Sequence, residues 1–212
     1  MQALYLTHPQ VKLDAAVPVP LWGLSPEGRA RAERFARRGV VPKGSMIFSS
    51  RETKAQELAE LIAASADTLT LADHAMGEND RSATGFLPPA LFEDMADRFF
   101  AQPDISAAGW ERAVDAQRRI VSAVTTALAS VPEGAVTVFC GHGAVGTLLK
   151  CHIGGRRISR EEDQSCIGAV GGGNGFVFDL ARRQLLTDWT PMEEIGPNWH
   201  ESPKLAEPAV LL

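Results

Sequence analysis

No apolar run in the 212 residues approaches the ~20 needed to cross a bilayer, which excludes a membrane-spanning role. Cysteine is scarce: Cys140, Cys151 and Cys166 are odd in number and lack CxxC spacing. That pattern predicts reduced thiols in a cytoplasmic protein rather than a disulfide framework. The first residues have no basic segment followed by an apolar one, and the chain turns polar after Leu6, so no export signal is expected. Positive charge is also short. With 21 Lys and Arg against 26 Asp and Glu, the net charge of −5 argues against a nucleic-acid groove that neutralises many phosphates. A small anion held by a few local cations is still accommodated.

What is present is a hydrophobic share of 45% in a chain long enough for one large core, read as a single domain over 1–212. Short apolar strands alternate with amphipathic helices, without repeats, which predicts an α/β layer fold. Strands are expected at Ala3–Leu6, Ser45–Phe48, Leu69–Ala72 and Val136–Cys140, with a closing hairpin at Phe176–Leu180 and Gln184–Trp189. The result is a three-layer α/β/α sandwich, mostly parallel, with an antiparallel edge. Ser25 with Pro26 marks a helix start, and further helices are expected at about 50–64, 89–100, 109–131 and 144–153. The tail 191–212, with four prolines, reads as irregular chain. Its apolar end Ala209-Val210-Leu211-Leu212 is expected to dock on the chain's own core or on a second copy in a homodimer.

Two strands deliver a histidine just past their carboxyl ends, in Tyr5-Leu6-Thr7-His8 and Phe139-Cys140-Gly141-His142. Open α/β sheets place ligands there, so both imidazoles are expected in one pocket. His142 sits between glycines at a strand-to-helix turn, where backbone N–H groups and the helix dipole favour an anion such as phosphate. A neutral imidazole is a competent nucleophile toward phosphorus, and a second can stabilise charge on the transferring oxygens.

These residues resemble the histidine phosphatases, the phosphoglycerate mutase-like superfamily, over most of the chain. The first strand with His8 is similar to an N-terminal Arg-His-Gly motif, and Leu24-Ser25-Pro26-Glu27-Gly28 to its Leu-Ser-x-x-Gly helix start. Ser49-Ser50 with Lys54-Ala55 and Ala59 resembles its Ser-Ser-x-x-x-Arg-Ala helix, Glu78 with Gly85 its central acid, Gly109-Trp110-Glu111 its Gly-Glu-Ser segment, and Gly141-His142-Gly143 its second His-Gly. The resemblance implies that His8 takes the phosphoryl group, His142 supports it, and Glu78 protonates the leaving oxygen. It implies hydrolysis of a small phosphomonoester without metal or organic cofactor, and no nucleic-acid or membrane partner.

The chain departs from that pattern where the family has cations: Thr7 and Lys54 stand for its two arginines, and Pro9 for the glycine after the nucleophile. Arginine's planar fork holds two phosphate oxygens, which lysine and threonine do not reproduce. Thr7, Lys54 and Gly143 are the inherited phosphate-binding candidates. Arg51, expected to share a helical face with Lys54, and Arg81, in the irregular stretch after Glu78, are candidates to restore the missing charge.

Three rival readings remain. The same fold could bind an anionic ligand without turnover. Gly141-His142-Gly143-Ala144-Val145-Gly146 also fits a G-x-G-x-x-G dinucleotide fingerprint, with Glu161, Glu162 and Asp163 about twenty residues on. Cys140-x-His142 and Cys151-His152 would be the beginnings of a metal site. Specificity is expected in loops 73–90 and 155–175.

Overall fold

The computed structural model describes residues 2–201. Its central sheet contains β1 (Gln2–Thr7), β2 (Met46–Ser50), β3 (Thr70–Asp73), β4 (Thr137–Gly141), β5 (Asn174–Asp179), β6 (Gln184–Leu185) and β7 (Thr190–Pro191). The order is β3-β2-β4-β1-β5-β6, with β7 pairing on β5. The first four positions are mutually parallel, and β5 runs antiparallel to β1. A mixed sheet with an antiparallel edge is therefore observed.

Alternation along the strands sends side chains into two cores. Tyr5, Phe139, Phe176 and Phe178 enter one; Leu4, Leu6, Val138, Cys140 and Val177 enter the other. The first core is covered by α3 (Pro89–Ala101), α4 (Ala113–Ser130) and α5 (Gly143–Gly154), the second by α1 (Pro26–Arg37) and α2 (Thr53–Ala66). Both faces of the sheet are buried, giving three layers. Among the described residues, no helix is long and apolar enough to cross a membrane.

Several element boundaries differ from the sequence reading. The long helix begins at Ala113 rather than near Gly109, because Gly109 takes φ +84° and Ala108 +47° in a turn that buries Trp110. The closing hairpin is cut short, with β6 only two residues long. Within the tail, Thr190–Pro191 joins the sheet, and Met192 and Ile195 are buried in the second core. The end 209–212 lies outside the described residues.

The Gly141–Gly146 stretch is not followed by the strand a dinucleotide site requires. After α5, Arg160–Glu162 form a single 3-10 turn, Glu162 pairs with Lys150 and Arg156, and Asp163 caps the short helix α6 (Gln164–Ile167). The three cysteines are free thiols, and no group of three or more potential metal-ligating side chains occurs among the described residues.

Ser25 caps α1 by accepting the Gly28 N–H at 3.0 Å, with Pro26 in the first turn. Gly28 lets α1 rest on the chain just after β1: a Cβ there would lie 2.1 Å from the Gln10 carbonyl oxygen. Because that atom is backbone, no rotamer change relieves the contact. Gly28→Ala is expected to cost about 1–3 kcal/mol by overpacking, read as a lower urea midpoint with an unchanged slope.

Candidate active site

Parallel register fixes the two histidines. Thr7 is opposite Gly141, so β1 and β4 end at the same level, and the His8 N–H continues the ladder to Gly141 O at 3.0 Å. The His8 and His142 ring centroids are 5.3 Å apart, with planes crossing at 71°. The pairing of strand ends brings the two imidazoles together as expected from the sequence, but only His8 lines the cavity, and His142 lies fully buried behind it.

His8 Nδ1 lies 2.9 Å from Pro9 O. A carbonyl only accepts, so Nδ1 carries the proton and Nε2 keeps its lone pair. Burial, reinforced by the positive charge of Lys54, lowers the His8 pKa to about 4. The ring is therefore neutral near pH 7.

His142 is fully buried, and Tyr5 clamps its main chain: the phenol donates to His142 O at 3.1 Å and accepts from His142 N–H at 3.0 Å. Ser50 Oγ lies 2.6 Å from His142 Nε2, whereas Nδ1 has no partner. Burial holds the His142 pKa well below its ordinary value, against the opposing pull of Glu52. With Ser50 donating to Nε2, a neutral His142 presents an unused Nδ1–H donor.

Glu78 reaches the first turn of α5. Its Oε1 accepts from Val145 N–H at 3.1 Å, and Oε2 from Ala144 N–H at 3.4 Å. Burial raises its pKa, with Arg81 opposing and Glu52 assisting. The loop that carries it is held by Arg119 of α4, which donates to Ala75 O and Gly77 O at 2.9 Å each and to Glu78 O at 3.1 Å. Arg119 is itself fixed by a two-pronged pair with Glu111, at 3.0 and 2.7 Å.

The expected phosphate-binding residues divide sharply. Gly143 opens α5 on the cavity, and a Cβ there would meet Gln164 Nε2 at 2.3 Å. Thr7 turns instead into the structure: its hydroxyl faces Gln164 Oε1 at 2.8 Å and Asn174 O at 3.1 Å and accepts from Asn174 N–H. Lys54 is buried, in close contact with the Glu52 carboxylate and donating to Val19 O at 3.0 Å, so its charge is already matched. Arg51 does not share a helical face with Lys54, since α2 starts only at Thr53; it is exposed in the preceding bend.

Arg81 is placed differently. It lines the cavity beside His8 and Glu78, with its guanidinium carbon 4.9 Å from the Phe92 ring centroid and 6.0 Å from that of Trp110. Its positive charge depresses the pKa of His8, His142 and Glu78 alike. The cation therefore acts on the whole site.

Glu52 is absent from the sequence reading, yet it touches three parts of the site. Its Oε1 accepts from Glu78 N–H at 2.8 Å and lies 3.6 Å from His142 Nε2, while Oε2 contacts Lys54. Burial opposes ionisation, but the Lys54 ammonium and the Glu78 N–H, joined by His142 only when its ring is protonated, hold the carboxyl below its ordinary range. Asn79, also missed, is buried with Nδ2 unpartnered and lines the same cavity. The sequence signal for Glu52 was an acid two residues before Lys54. Arg119, eight residues past Glu111 on another element, gave none. The Gly171-Gly172-Gly173 run, within the 155–175 loop, backs onto the chain just after β1: Gly173 N–H donates to His8 O at 3.1 Å, and all three glycines have positive φ.

The model of the histidine phosphatase superfamily (branch 1) matches residues 19–166. The chain belongs to that superfamily. A search of curated proteins finds no match. Among solved structures, YhfR of Bacillus stearothermophilus aligns with TM-score 0.72 and 18% identity, covering 94% of this chain and 99% of its own. A mycobacterial glucosyl-3-phosphoglycerate phosphatase aligns with TM-score 0.68 and 18% identity, covering 83% and 88%. TTHB049 of Thermus thermophilus aligns with TM-score 0.59 and 21% identity over 89% and 98%. These similarities show the fold and match the phosphoglycerate mutase-like expectation.

Arg119→Met removes the clamp on the Glu78 loop and is expected to cost about 2 kcal/mol, given the several hydrogen bonds lost and the partial exposure of the pair. Amide exchange at Glu78 and Asn79 should accelerate more than exchange in β1. Uniform acceleration would instead mean that Arg119 acts only on global stability.

Proposed function

We propose that the chain hydrolyses phosphomonoesters through a phosphohistidine at His8. The observation that carries the reading is the neutral His8–His142 pair at 5.3 Å between ring centroids, with Glu78 on the same cavity. His8 Nε2 attacks phosphorus as the ester P–O bond breaks, and Glu78 donates its proton to the departing alcohol oxygen. Glu78, now a carboxylate, takes a proton from water as that water's oxygen bonds to phosphorus; the N–P bond breaks, releasing inorganic phosphate and regenerating His8. His142 Nδ1–H, Asn79 Nδ2 and Arg81 are donors for the transferring oxygens, aided by the N-terminus of α5. Neutral imidazoles leave Arg81 as the principal charge in this scheme, since Lys54 is paired with Glu52.

The closed Lys54 charge and the engaged Thr7 hydroxyl also favour a second reading, in which phosphate esters bind without turnover. Rapid acid-free quench during turnover separates the two. Wild-type protein is expected to carry an acid-labile phosphoryl group that His8→Ala lacks, and Arg81→Met should lower kcat/KM about 100-fold. Saturable ester binding without phosphoenzyme or turnover would favour recognition alone.

The acid–base assignments fix the pH profile of kcat. His8 must be neutral, so activity rises as pH passes upward through about 4. Glu78 must be protonated, so activity falls as pH rises past its elevated pKa, above the ordinary carboxylate range. Glu78→Gln should remove the alkaline limb and lower kcat by roughly 10²–10⁴-fold for esters with basic leaving groups.

A further inference from the structure

The cavity lined by His8, Glu78 and Arg81 has a total volume of about 480 Å³. That is room for a leaving group of drug-like size rather than a bare small alcohol. One wall is made by Val19, Trp22 and Phe86, with the Trp22 and Phe86 rings edge to face at 5.6 Å between centroids. Leu87, Phe92 and Trp110 line it as well, with the Phe92 and Trp110 rings 6.0 Å apart between centroids. Val170, 92% exposed, stands at the rim on the glycine loop.

The charges on this surface are mostly engaged. Arg160 is closed by Glu93, in a close contact, and by Asp97 at 3.6 Å. Asp163 accepts from Thr147 at 2.9 Å and from Ser165 Oγ at 2.6 Å. Gln164 Oε1 is taken by Thr7 and by Asn174 Nδ2. Arg81, stacked against Phe92 and Trp110, has no carboxylate within 4.0 Å among the described residues and serves the phosphoryl end. A second anionic group on the alcohol would find no unmatched cation among the described residues of these walls, and a polyhydroxylated one would leave hydroxyls against aromatic faces.

We infer that the substrate is the monophosphate of an apolar alcohol, aromatic or hydrocarbon-chain in character and without a second anionic group. This inference rests on the phosphatase reading for its chemistry and on the cavity walls for its specificity. The apolar body is desolvated against the Trp22–Phe86 and Phe92–Trp110 ring pairs, while its single phosphate is held at His8 and Arg81, which line the same cavity.

Matched esters isolate the alcohol from the bond broken. Phenylpropyl phosphate, with the ring at the far end of the chain, is expected to exceed propyl phosphate in kcat/KM by about ten-fold or more, since the leaving oxygens are alike and only the buried apolar area differs. The phosphate ester of 3-hydroxypropionate, which adds a carboxylate, should fall about ten-fold or more below propyl phosphate. Phe86→Ser should bring the phenylpropyl-to-propyl ratio toward unity; Val170→Asn, at an exposed position, is the second variant should the first not fold. Calorimetry of His8→Ala with phenylpropylphosphonate and propylphosphonate reads the same preference without chemistry. Equal kcat/KM values with equal phosphonate affinities would overturn the apolar class and leave hydrolysis standing. A phosphonate preference without turnover of either ester would overturn hydrolysis and leave the ligand class standing. Neither turnover nor phosphonate binding would overturn both.

Discussion

The parallel pairing of β1 with β4 decides where the chemistry lies. Thr7 opposite Gly141 ends both strands together, and one further ladder bond, His8 N–H to Gly141 O, places the nucleophile candidate beside the turn that carries His142. A slip of one residue would turn every β1 side chain to the opposite face, exchanging Tyr5 with Leu4 or Leu6 between the two cores. It would also remove the Tyr5 hydroxyl from the His142 backbone, which it holds by both N–H and C=O. Core packing and site geometry are thus enforced by the same register.

Electrostatics around that scaffold follow from one carboxylate. Glu52 matches Lys54, approaches His142 and accepts from the Glu78 backbone, so the family's second cationic position is neutralised within the site itself. Another cation, Arg81 on the loop after Glu78, lines the cavity instead. Stacking on Phe92 and Trp110 holds that guanidinium with no carboxylate partner among the described residues, leaving its charge open to an anion. Burial keeps both imidazoles neutral and raises Glu78, an arrangement suited to a nucleophile and an acid at the same pH.

Local chemistry carried much of this into the sequence. Strand alternation, the Ser25-Pro26 helix start and the two strand-terminal histidines were legible because each depends on neighbours within a few residues. The strand ends at His8 and His142 could be matched from general rules of α/β sheets. Long-range partners were not legible: nothing local says that Thr7 bonds to Asn174 and Gln164 rather than facing the cavity, or that Arg119 reaches back to the Glu78 loop. The Arg51–Lys54 face failed for a local reason, since the helix starts after Glu52 and leaves Arg51 in a bend. Trp22 and Trp110 are both buried, yet both also line the cavity, a double role that composition does not reveal.

The position of β1 in the sheet has a consequence for biosynthesis. It is central, flanked by β4 and β5, and both neighbours come from residues 137–179. A ribosome adding roughly 5–20 residues per second takes many seconds to deliver them. During that time an apolar strand, with both edges unpaired, has no site in the sheet to occupy, while β2, α2 and β3 can already assemble with one another. His8 is thus synthesised well before the strands that position it, and an interrupted chain ending before β4 would contain this histidine without any pocket around it.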